Sequence, residues 1–179
     1  MASWTEPPAI FLISLLACGL PLLFGLLIGS GAALHQAITA LGGIALGLTL
    51  LGVWLSFTAL TPQASYSSIG WFQLGLLLSI LGFICACFGC GVALATARRV
   101  GHHRWFVALV LIAVLPLLAA LASFEYTVLL AARVFPGQVT PLQSLSLAFL
   151  LAPIGAVALV AYGIYGQLAA RRSPTSEVA

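Results

Sequence analysis

The chain has 179 residues, of which 63% are hydrophobic and only 5% charged, with a formal net charge of +3, and its mean hydropathy is +1.21. Water-soluble domains carry about 25% charged residues, so a soluble fold is excluded. Six arginines in short clusters, with no lysine, cannot build the phosphate-neutralising surface of a nucleic-acid binder. From Pro7 to Ala97 there are 91 consecutive residues without a formal charge, whereas one apolar crossing of a bilayer needs only about 20. The sequence therefore predicts an all-α fold, a polytopic integral membrane helical bundle.

Because the apolar background is nearly continuous, element boundaries are read from turn residues, prolines and charges. Five transmembrane helices are expected in a single bundle over residues 1–172, with a polar tail at 173–179. The first span, 9–29, is entered through Thr5-Glu6-Pro7-Pro8, where proline suits a first helical turn whose N–H groups have no partner anyway. Glu6 and the lack of any Lys or Arg at the N-terminus argue against a cleaved signal peptide. The second span, 37–59, follows His35-Gln36 and closes at Thr61-Pro62-Gln63. A polar loop through Tyr66 leads to the third span, 71–97, which stops at Arg98-Arg99 and the Gly101-His102-His103-Arg104 turn. The fourth span is 105–132. Thr140-Pro141-Leu142-Gln143 then reads as N-cap, N1 proline and N3 glutamine of the fifth, 141–169. These spans are about 31 to 45 Å long against a hydrocarbon core of about 30 Å, so the longer ones tilt or protrude.

Arginine placement sets the expected orientation. Arg98, Arg99, Arg104, Arg171 and Arg172 fall on one side and only Arg133 on the other. The positive-inside rule puts the five-arginine side in the cytoplasm and, with an odd number of spans, gives an N-out, C-in chain of the plasma (cytoplasmic) membrane. Trp4, Trp71, Tyr66 and Tyr126 then lie near the outer interface and Trp105 and Tyr165 near the inner one, where amphipathic rings reside.

Small residues recur on the third span at Gly75, Ser79, Gly82, Ala86, Gly89 and Ala93. Their three- and four-residue spacing keeps one helix face in register as a groove. The second span repeats the device with Gly42, Ala45, Thr49, Gly52 and Ser56. In lipid, close backbone approach with dispersion contact holds helices together, so these stripes serve as seams within the bundle or as docking faces for another subunit. The opposite face of the third span, Leu76, Leu77, Ile80, Phe83, Ile84 and Leu94, is expected to meet lipid. Pro21, Pro116 and Pro153 fall inside spans one, four and five and free backbone carbonyls there.

No catalytic set is legible. Cys85, Cys87 and Cys90 stand near one another on the third span, and Cys18, on the first, matches Cys85 in bilayer depth. Residues two apart on a helix point in nearly opposite directions, so the run is unsuited to chelation, and the thiols read as small packing groups. No cofactor or metal is expected. Glu125 and Arg133 form a possible ion or polar site near the outer interface, where a carboxylate is less diagnostic than at mid-bilayer. Arg98, Arg99, His102, His103 and Arg104, with His35 on the same side, are possible contacts for lipid head groups or an acidic partner.

The main functional expectation is a non-catalytic accessory or assembly subunit, with the lipid bilayer and a membrane-protein partner or second copy as its surroundings and no nucleic acid. A small transporter or channel for a neutral or apolar solute is the alternative. It would use the few hydroxyl and amide groups, Ser14, Thr49, Ser79, Ser123 and Gln167, although hydroxyls can bond to their own helices. A thiol- or metal-dependent membrane enzyme is the third reading and depends entirely on the cysteine run.

Overall fold

Helices account for nearly all of the computed structural model, which describes residues 7–28, 34–59, 67–115 and 142–172. Five helices and no strand occur among the described residues: α1 (Pro7–Ile28), α2 (Leu34–Ala59), α3 (Ser67–Val100), α4 (described over His103–Leu115) and α5 (Leu142–Arg172). Three carry segments long and apolar enough to cross a membrane, namely Leu34–Ser56, Gln73–Val100 and Ala152–Arg172. Leu16–Ile28 and His103–Leu115 are shorter apolar helical segments.

Helix α1 opens on Pro7 and Pro8 and runs through Pro21, as α5 runs through Pro153. Helix α2 begins at Leu34, ahead of the expected start at Ala37, which brings His35 and Gln36 into its first turn. Helix α3 begins at Ser67 and so takes up the end of the expected polar loop. It ends at a left-handed glycine, Gly101, with φ +76°. The His102 N–H donates to Ala97 O at 3.0 Å, closing the last turn, while His102 O accepts from Phe106 N at 2.9 Å and starts α4. This six-to-one bond defines a helix C-cap that only a residue tolerant of positive φ can make. Arg98 and Arg99 occupy the same last turn, where cations meet the negative end of the helix dipole. The capping box expected at Thr140 to Gln143 lies partly outside the described residues, as do Pro116, Ser123, Glu125, Arg133 and the tail.

Helix α3 is the hub, packing against α1, α2 and α5, while α2 also packs against α5. All nine residues from Gly89 to Ala97 are buried, the mark of a helix enclosed on every side. This overturns part of the lipid-facing expectation. Leu77 is exposed, but Phe83 and Leu94 are buried, Phe83 beside Cys18, Cys87 and Ala152 and Leu94 in the main core with Ile38, Leu109 and Leu159. The two-faced reading holds for the first half of α3, where Trp71, Leu74, Leu77 and Leu81 are exposed, and fails further along, where side chains of α1, α4 and α5 cover Phe83 and Leu94.

Facing pairs fix the relative directions. Ala45 and Thr49 meet Gly82 while Gly52 meets Gly75, so α2 and α3 run antiparallel. Gly42 meets Leu159 and Val160 while His35 meets Gly166, so α2 and α5 are antiparallel too. Leu22 faces Gly91 and Cys18 faces Cys87, making α1 parallel to α3. Ile112 reaches Gly155, and Trp105 reaches Tyr162 and Tyr165, so α4 runs against α5. Successive helices therefore alternate in direction. The starts of α2 and α4 and the ends of α1, α3 and α5 share one end of the bundle.

Candidate functional site

The stripes on α2 and α3 interlock. A Cβ built on Gly82 would lie 2.6 Å from Thr49 Cγ2, 2.9 Å from Thr49 N and 3.0 Å from Ala45 O, and one on Gly75 would lie 2.7 Å from Gly52 O and 2.8 Å from Ser56 N. Two backbones meet there with no room for a side chain. Ser79, Ala86, Ala93, Ala45 and Thr49 are buried along the same seam or beside it, and Gly42 packs on Leu159 and Val160 of α5. Gly89 differs, since its close neighbour is the end of a side chain, Leu159 Cδ1 at 2.8 Å, with Leu41 Cβ at 3.6 Å. A second glycine crossing joins α1 to α3, where a Cβ on Gly25, the last of the small residues spaced along the first span after Ser14, Cys18 and Pro21, would lie 2.9 Å from Val92 N and 3.0 Å from Gly91 Cα.

Hydroxyl groups along these seams bond within their own helices. Thr49 Oγ1 donates to Ala45 O (2.8 Å), Ser79 Oγ to Gly75 O (3.0 Å), Ser56 Oγ to Gly52 O (2.8 Å) and Thr96 Oγ1 to Val92 O (2.9 Å). Each polar group is thereby satisfied without a partner helix or solvent.

The four cysteines are free thiols. Cys18 and Cys87 touch through their side chains, within one buried cluster with Phe83 and Ala152. The depth match drawn from sequence paired Cys18 with Cys85. The structure instead turns Cys87 toward α1, while Cys85, two residues away, lines an apolar groove with Pro21, Phe24, Leu41 and Phe88. Among the described residues no group of three or more His, Cys, Asp or Glu side chains is placed to hold a metal ion.

At the shared end, α2, α5 and the α3–α4 turn meet in an assembly of rings. Tyr162 is fully buried, with His35 at 5.8 Å, Trp105 at 5.6 Å and His102 at 6.1 Å between ring centroids. Tyr165 stands beside His102 at 5.3 Å and Trp105 at 5.8 Å. His35 fits because residues 163 and 166 are glycines: a Cβ on Gly163 would lie 3.0 Å from His35 O, and one on Gly166 would strike the His35 ring. Gln167 Nε2 donates to Thr39 Oγ1 at 3.1 Å, tying α5 to α2. Two of the histidines expected in a solvated basic loop are thus packing groups, and only His103 is exposed. The Tyr162 hydroxyl and His102 Nδ1 are buried without a hydrogen-bond partner among the described residues.

Around this assembly Arg98, Arg99, Arg104, Arg171 and Arg172 are all exposed. The fold therefore gathers at one end cations that the sequence separates by some seventy residues. Sequence reasoning missed Tyr162, Gly163 and Gly166. Part of the signal was present: Ala152, Ala156, Gly163 and Gly166 on α5 lie four, seven and three residues apart, intervals that keep one helix face. No protein-family model matches the chain, and neither a curated protein nor a solved structure is significantly similar to it.

Proposed function

We propose that this chain is a non-catalytic accessory or assembly subunit of a complex in the plasma membrane, crossing it five times with the N-terminus outside. One observation carries the docking role. Gly43 and Gly47 on α2 have nothing within 4 Å of a built Cβ, and with Ala40, Ile44, Leu51 and Trp54 they form an exposed face. At 3.6 residues per turn this face lies about 180° from the Gly42, Ala45, Thr49 and Gly52 stripe that packs inside the bundle. Glycine within a helix costs roughly 0.5–1 kcal/mol relative to alanine. On the inner face close backbone approach offsets that cost, and the outer face offers the same approach to a helix from outside the chain.

Gentle extraction should yield an assembly heavier than the 18.6 kDa chain. Replacing Gly43 and Gly47 together by leucine should release the chain as a monomer at least as stable as the isolated wild-type chain, since neither side chain meets the bundle and leucine favours the helix over glycine. A wild-type chain that extracts alone, or an assembly indifferent to the double substitution, would remove the docking role. The orientation is tested separately by reporters fused after Ser65, Gly101 and Gly137, expected outside, inside and outside in turn. Reporters at 65 and 101 on the same face would contradict the five-span reading.

A further inference from the structure

We propose that the arginine-bearing end binds anionic phospholipid, with the lipid phosphate held by guanidinium groups from the ends of α3, α4 and α5. The inference rests on the chain lying in a bilayer and is independent of any partner subunit.

The ring contacts of His102 and Trp105 with Tyr165 hold the α3–α4 turn against the last turns of α5. Arg98, Arg99 and Arg104 flank that turn, and Arg171 and Arg172 follow Tyr165 on the same helix. Three helix ends therefore present exposed cations over one surface. Trp105 is half-buried and Tyr165 is 44% exposed, an amphipathic pair of the kind that sits at head-group level. Arg171 and Arg172 lie about 9–10 Å further along α5, a distance comparable to a head-group layer of about 5–8 Å. The guanidinium groups thus stand at the depth of the phosphates or just beyond.

Among the described residues no acid neutralises the charge on this surface. No Asp or Glu occurs among the described residues, and the three glutamates of the chain are at 6, 125 and 177. Only Glu177 follows in sequence at this end, against five arginines. The choice of cation narrows the ligand. Orientation in a membrane is served equally by lysine and arginine, yet the chain uses six arginines and no lysine. Arginine differs in its planar fork, which grips a phosphate through two parallel N–H donors where lysine offers a point charge. The surface is built for a phosphate, and the phosphates at that depth are those of lipid head groups.

The test uses the full chain in mixed micelles, titrated with phosphatidylglycerol or phosphatidylcholine, with retained lipid read by native mass spectrometry. Phosphatidylglycerol should be retained in preference to phosphatidylcholine, and inorganic phosphate at equal concentration should not displace it. Arg98→Gln with Arg99→Gln, and separately Arg171→Gln with Arg172→Gln, should each weaken retention on the order of 20- to 30-fold, from the usual contribution of a surface arginine near anionic lipid. The corresponding Arg→Lys pairs keep the charge and should weaken it less, but measurably. Equal retention of the two lipids would overturn the proposal, and so would glutamine variants that bind like wild type. Displacement by inorganic phosphate would show that the site takes the free ion rather than lipid, and full retention by the lysine pairs would overturn the phosphate-fork geometry.

Discussion

Replacing glycine by alanine at positions 43, 82 and 89 adds the same methyl group to three environments that the structure distinguishes. At Gly82 the new carbon would meet Thr49 N at 2.9 Å and Ala45 O at 3.0 Å as well as Thr49 Cγ2 at 2.6 Å. Carbon contacts settle at about 3.5–4.0 Å, so α2 must retreat by roughly 0.5–1 Å, and the whole Gly52–Gly75 crossing opens with it. Overpacking of this kind costs about 1–3 kcal/mol. At Gly89 the nearest atom is Leu159 Cδ1, the free end of a side chain, at 2.8 Å. Leu159 has rotamers to use, although its burial limits them, and the cost should stay below about 1 kcal/mol. At Gly43 nothing is met, and alanine gains roughly 0.5–1 kcal/mol of helix propensity in the isolated chain. Unfolding by denaturing detergent from mixed micelles should therefore rank the variants Gly43→Ala above wild type, Gly89→Ala slightly below it and Gly82→Ala well below. Equal stability at 43 and 82 would refute the reasoning, because it would mean that the backbones do not touch where the structure brings them together.

Two other substitutions read local features. Tyr162→Phe removes a hydroxyl that is buried without a partner among the described residues, and an unsatisfied buried polar group costs about 1–3 kcal/mol, so the variant should be as stable as wild type or more stable in the same assay. A loss above about 1 kcal/mol would show that the hydroxyl is bonded. A membrane-permeant bifunctional thiol reagent should join Cys18 to Cys87 in preference to Cys85, as read from the linked peptides by mass spectrometry. A Cys18–Cys85 product would contradict the rotation of α3.

Spacing made the seams legible, and composition made the helices legible. The small residues of α2 and α3 recur at intervals that any helix converts into a stripe, so Gly75, Gly82 and Gly52 could be picked out before their partners were known. What spacing could not say is which helix fills which stripe. Gly25 and Gly91 stand outside the longest runs, yet they make a crossing as close as that of Gly52 and Gly75. The burial of Phe83 and Leu94 was hidden for the same reason, since the exposed face of α3 at Leu74, Leu77 and Leu81 gives way further along to a stretch, Gly89 to Ala97, enclosed on every side. His35 and His102 looked like loop residues because polarity and turn signals dominate a reading by composition. Their placement depends on Gly163 and Gly166, more than a hundred residues from His35 in sequence, and on a C-cap whose φ at Gly101 aims the turn inward.

The hydroxyls bear on the choice between docking and transport. A path for a polar solute needs polar atoms that face a cavity and are free to exchange partners. Thr49 and Ser79 are buried where glycines bring α2 and α3 together, and each donates to the carbonyl four residues earlier on its own helix. A hydroxyl in that arrangement is a small side chain whose polarity has been answered locally, and it lets a seam close as alanine would. The groove beside Cys85 is lined by apolar side chains of α1, α2 and α3 and offers an acyl chain no less than a solute. The polar groups at the arginine end are likewise engaged in packing, with Gln167 bonded to Thr39 and Tyr162 enclosed by His35, Trp105 and His102. Among the described residues, the features not absorbed by the bundle include the open glycines of α2, both on one exposed face, and the exposed arginines. Both look outward from the bundle, and the docking and lipid-binding roles proposed above rest on them.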